Sequence, residues 1–168
     1  ARPLATALAL LLLGACSSGD HAKASAPEST AASTAAARSL TIKRDRYGIP
    51  HVYADTVRGV FHGFGYAVAE DRLFQMEMAR RSVLGTVAEV LGPQHAARDA
   101  DVRRLFTPAS IQAQLAQLSP ADRDIFEGYA DGFNARMREV LANRATLLPR
   151  QFADAGFDPA PWTGYDVA

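Results

Sequence analysis

The sequence predicts an α+β protein, mostly helical, whose folded part opens with a short N-terminal β-hairpin. Three observations carry this reading. Two short segments of strand-like alternation flank a turn near residue 47. A long stretch of helical periodicity follows at once. Further along, two hydroxyl–proline pairs open additional helices.

Leu40-Thr41-Ile42-Lys43-Arg44 alternates apolar and polar side chains, the period of a half-buried strand. Tyr47-Gly48 supplies a turn, and Pro50 opens a second run, His51-Val52-Tyr53-Ala54. Two strands alone are barely stable in water, so this hairpin calls for a larger sheet. Nothing later in the sequence supplies one.

From Asp55 or Thr56 the spacing becomes helical. Val57, Val60, Phe61, Phe64 and Val68 fall on one face, an apolar stripe expected to be buried. The pattern continues through Leu73, Phe74 and Met78 to about Leu84. Gly63 and Gly65 interrupt it, each costing about 1 kcal/mol against alanine. Their expected use is close approach by another backbone. Seven residues beyond Phe64 the stripe reaches Asp71, predicted to be a buried structural carboxylate held by backbone amides or an arginine.

Gly85 and Gly92 bracket a short apolar segment. Thr107-Pro108 and Ser119-Pro120 each place a capping hydroxyl before a proline at the first helical position, and Asp122 strengthens the second. The helix so started carries Ile125, Tyr129, Phe133, Met137 and Leu141 at four-residue steps. After Asn143 the chain reads as irregular, although Trp162 to Ala168 resembles the start of another element.

The 18 basic and 18 acidic side chains cancel, so no field attracts nucleic acid, and nucleic-acid binding is not expected. A single cysteine, Cys16, excludes an internal disulfide framework and a Cys-rich zinc site. Gly63-Phe64-Gly65-Tyr66-Ala67-Val68 fails as a dinucleotide fingerprint, because its last position is valine and no strand precedes it. His21, His51, His62 and His95 show no paired ligand spacing, and no serine sits in a Gly-x-Ser-x-Gly elbow. Asp99 and Asp101 read as a solvated acidic turn, not a calcium loop. Arg80-Arg81 and Arg103-Arg104 read as ion-pairing helix faces. The residues therefore give no catalytic, cofactor-binding or metal-binding candidate.

Residues 1–15 read as a signal peptide: Arg2 precedes an uncharged apolar run too short for a membrane span, which needs ~20 residues. Because the chain starts at Ala1, its true beginning is expected to be missing. Leu13-Gly14-Ala15-Cys16 resembles the bacterial lipobox, which makes Cys16 the candidate lipidation site. Residues 16–39 form the lipobox cysteine and a flexible Ala/Ser/Thr-rich linker. The implied location is the periplasm, with the protein touching a membrane only through a lipid anchor.

A resemblance adds a function to this reading. Arg44-Asp45-Arg46-Tyr47-Gly48-Ile49-Pro50-His51-Val52-Tyr53-Ala54 resembles the opening of the α chain of the penicillin acylase family. Gly63-Phe64-Gly65-Tyr66-Ala67-Val68-Ala69-Glu70-Asp71-Arg72-Leu73-Phe74-Gln75-Met76-Glu77-Met78-Ala79-Arg80-Arg81 is similar to its most recognisable stretch. Gly85 to Gly92, Gly128 to Asn134 and Leu147 to Phe152 continue the match in order. The resemblance covers residues 40–168 and is nearest to penicillin G acylases.

It implies an N-terminal-nucleophile hydrolase with a four-layer αββα core, made as one precursor that cuts itself into α and β chains. The chain is expected to be a partial α-chain region, with the β chain of the same precursor as its partner. The β chain's N-terminal serine would attack the amide of a small-molecule substrate, a β-lactam carrying a phenylacetyl side chain. Calcium is implied, with no organic cofactor. The nucleophile, the acyl-pocket residues and the calcium ligands are expected to lie outside this sequence, leaving the fragment inactive alone. The rivals are acylases of acyl-homoserine lactones or cephalosporins, and a non-catalytic lipoprotein binding module.

Overall fold

A computed structural model describes residues 40–105 and 107–168. Strands β1 (Thr41–Arg44) and β2 (Pro50–Tyr53) pair antiparallel with Ile42 opposite Val52. The Asp45 carboxylate shapes the turn by accepting from the backbone N–H groups of Tyr47 (2.8 Å) and Ile49 (3.0 Å). Among the described residues the sheet has these two strands alone. What supports the hairpin is a helix: Leu40 and Val52 lie so close over Gly63 that no Cβ would fit there.

That helix, α1 (Val57–Leu84), is capped by the Thr56 hydroxyl, which accepts from Gly59 N at 3.0 Å. It ends at Gly85, whose left-handed conformation (φ 66°) suits glycine best. Arg72 (φ −141°, ψ 27°) breaks the helical geometry and kinks α1 near its middle.

Short α2 (Ala88–Leu91), a 3₁₀ turn (Pro93–His95) and α3 (Ala96–Leu105) follow. Then come α4 (Pro108–Ala116), capped by Thr107, and α5 (Pro120–Ala142), capped by Ser119. The chain after Asn143 is more regular than its prolines and glycines suggest, with α6 (Arg144–Leu147), α7 (Arg150–Ala155) and α8 (Gly164–Val167). A capping box between Thr163 and Asp166 starts α8 where the sequence read as a new element.

The α1–α5 seam is the spine of the fold. On α5, Tyr129, Phe133 and Met137 are buried as the four-residue spacing predicts, while Ile125 and Leu141 are half-buried. On α1 the buried positions facing them are Gly65, Ala69, Leu73 and Glu77, again four apart. A Cβ on Gly65 would run into the Tyr129 carbonyl, and one on Gly132 into the His62 carbonyl. Gly65 thus serves close backbone approach, as its place in the sequence implies, whereas Gly63 makes room for the side chains of Leu40 and Val52.

The stripe predicted to be buried on α1 is not. Val57 is 52% exposed, Val60 37% and Phe64 48%, with Phe61 and Val68 half-buried. Helical periodicity located a face, but the side chains on α1 that face α5 are mostly small. Asp71 is likewise exposed; its partner is an arginine as expected, Arg44, which donates at 2.9 and 3.1 Å. Asp99, expected in a solvated turn, sits inside α3 at 2% exposure and accepts from Ala88 N at 2.7 Å. It satisfies a free N–H at the start of α2, where Val87 offers no side-chain cap.

The last segment folds back onto α5. Asn134 grips the Trp162 backbone twice, donating to its carbonyl at 2.7 Å and accepting from its N–H at 2.8 Å. Trp162 then stacks on Phe133 with ring centroids 4.4 Å apart. The signal segment 1–15, the linker 16–39 and the candidate lipidation site Cys16 lie outside the described residues.

Candidate functional site

The second half of α1 presents Glu77 with Arg80 and Arg81 one turn on, the i, i+3 and i+4 positions that meet on a helix surface. Glu77 is fully buried (0% exposed). Arg80 donates to both of its oxygens at 2.7 and 3.0 Å, and Arg81 to one at 3.1 Å. A carboxylate taken this far from water is tolerable only when charge and hydrogen bonds are both supplied.

The two guanidiniums then reach outward. Arg80 donates to the Pro161 carbonyl at 3.0 Å, comes within 3.6 Å of Asp166 and lies over the Trp162 ring. Arg81 pairs with Glu89 at 3.1 Å and lies 4.7 Å over the Phe157 ring. One buried carboxylate therefore ties α1 to α2, to α8 and to the segment before it. Among the described residues, Arg80 Nε and Trp162 Nε1 are buried with no hydrogen-bond partner, an arrangement that costs about 1–3 kcal/mol each.

Beside this cluster lies a cleft of about 650 Å³, walled by Met76, Val83, Ile111, Tyr129, Trp162 and Val167, with Arg80 and Asp166 on its polar side. Its size and lining suit an apolar group held next to a cation. Burial raises the Tyr129 phenol above its ordinary pKa, so it stays a neutral wall. The cleft holds no nucleophile beside a base. Among the described residues, the histidine side-chain contact is His51 to Asp45 at 3.4 Å, and no hydroxyl is paired with an imidazole.

The other residues singled out in the sequence do structural work. Arg104 pairs with Asp101 at 2.7 Å, and Arg103 donates to the Gly85 carbonyl. Arg58 holds Asp124, Glu127 and Asp131 along α5 at 3.0, 2.9 and 2.6 Å. Arg44 reaches Glu70 at 2.6 Å as well as Asp71, pinning the hairpin to the middle of α1. His62, half-buried beneath Gly132, has its pKa lowered, chiefly by desolvation. Glu77 went unremarked in the sequence, although its signal was present: a glutamate with arginines three and four residues later.

Among the described residues no group of three or more His, Cys, Asp or Glu side chains is arranged to hold a metal ion. The residues present do not fit the calcium that the resemblance implies. No described helix is long and apolar enough to cross a membrane.

Comparison with known proteins supplies what the geometry does not. The penicillin amidase family profile matches residues 39–168. Penicillin G acylase of Escherichia coli is 55% identical over 129 residues, covering 77% of this chain and 15% of that protein. The acyl-homoserine lactone acylase QuiP of Pseudomonas aeruginosa is 31% identical over 132 residues, covering 79% of this chain and 15% of its own length. The chain therefore spans about 15% of the length of these relatives. A solved thermostable penicillin G acylase from Alcaligenes faecalis matches with TM-score 0.73 and 54% identity, covering 77% of this chain and 68% of the solved one.

An alignment covering the same share of this chain fills 15% of the E. coli protein but 68% of the solved chain. The solved polypeptide is thus several times shorter than the full-length relative. With its whole folded part matched in sequence and its helix-plus-hairpin architecture matched in space, the chain belongs to the penicillin amidase family.

Proposed function

We propose that this chain is the N-terminal part of a self-processing amidohydrolase that removes an acyl side chain, phenylacetyl foremost, from penicillin-type amides. The observation that carries the reading is 55% identity to a penicillin G acylase across the folded part, against 31% to an acyl-homoserine lactone acylase. The short solved chain supports processing of one precursor into separate α and β chains.

In this reading the reacting groups belong to the β chain. Its N-terminal serine oxygen attacks the amide carbonyl, and the serine's own α-amine takes the hydroxyl proton. The oxyanion is held by fixed hydrogen-bond donors, and the proton passes to the departing amine as the C–N bond breaks. Water then attacks the acyl ester, releasing the acid and restoring the hydroxyl. What this chain contributes is the scaffold: the α1–α5 seam and the Glu77 cluster that fixes the segment from Pro161 to Val167 against it.

Residues 1–15 act as the export signal, Cys16 carries the lipid anchor, and residues 16–39 tether the enzyme in the periplasm. Calcium, with ligands outside the described residues, belongs to the same proposal.

The test is hydrolysis by the complete gene product, offered phenylacetyl-amide and long-chain acyl-homoserine lactone side by side. Preferential release of phenylacetic acid is the expected result. Preference for the lactone would move the protein to the second acylase class, and hydrolysis of neither would leave a binding module.

A further inference from the structure

We draw no further inference here: the strongest candidate, the apolar cleft of about 650 Å³ between α1, α4 and α8, carries nothing, because its orphaned donors Arg80 Nε and Trp162 Nε1 are buried out of a ligand's reach and nothing in the structure shows what covers its apolar walls.

Discussion

Between Gly65 and Glu77, α1 is buried at every fourth residue, whereas between Val57 and Phe64 its larger apolar side chains stand in water. The two stretches belong to one helix and meet the same partner, α5, yet they solve packing in opposite ways. In the seam, glycine and alanine let the backbones approach until carbonyls nearly touch the opposing helix, and large side chains from α5 fill the remaining space. On the open face the large side chains belong to α1 itself and stay exposed. Phe64 stands between the two regimes, half-exposed yet edge-on to the Tyr129 ring at 5.3 Å. A glycine-lined face marks where two helices of this chain lock together. A stripe of valine and phenylalanine marks where this chain still has apolar surface to offer.

The sharpest way to break the seam is at its charged end. Replacing Glu77→Ala leaves Arg80 and Arg81 largely buried without their shared carboxylate, and a broken buried pair costs about 3–5 kcal/mol. The complete protein should lose stability by that amount in urea unfolding, or fail to accumulate in soluble form. Unchanged stability would mean that Pro161 and Asp166 suffice for Arg80, and Glu89 for Arg81.

The next effect compares the two stretches directly. Gly132→Ala forces a methyl group against the His62 carbonyl, a backbone atom that cannot turn aside, at a cost of about 1–3 kcal/mol. Phe64→Ala, on the open face, should cost less in urea unfolding of the separated chain than Gly132→Ala does. If the order is reversed, the seam is not the spine of the fold.

The smallest effect is in pH. His62 has its folded-state pKa lowered, first by desolvation, with Arg58 and Arg138 adding to it and Asp131 opposing. The unfolded chain therefore takes up this proton more readily than the folded one. The imidazole's contribution is intact above the ordinary value of 6.5 and is lost as the pH falls below it toward the depressed folded value. Thermal unfolding between pH 7 and pH 5 should show a decline that His62→Gln partly flattens. An identical decline in the variant would assign the pH dependence to other groups.

Much of this was legible in the sequence because some signals are local. Thr56 or Asp55 as the start of α1, Leu84 before Gly85 as its end, and the two hydroxyl–proline caps all concern groups within one turn of each other. The hairpin appeared within a residue of its place for the same reason. What was misread depends on partners far along the chain. Asp99 is buried because the N–H of Ala88, eleven residues earlier, needs an acceptor, and nothing near Asp99 reveals that. Asp71 is exposed because it continues the face of Val57, Val60 and Phe64, and that face of α1 is itself open. Helix α3 was missed because Ala96–Leu105 is polar on most sides and gives almost no periodic signal. The family, by contrast, was readable from long ordered motifs, and the comparisons bear it out. The site was not, since no described residue forms a nucleophile–base pair.

The most direct measurement of the central claim is the intact mass of the complete gene product after export in its bacterial host. The account predicts two chains from one precursor, the smaller containing residues 40–168 and the larger beginning with serine. A single uncut chain that hydrolyses no amide would contradict it.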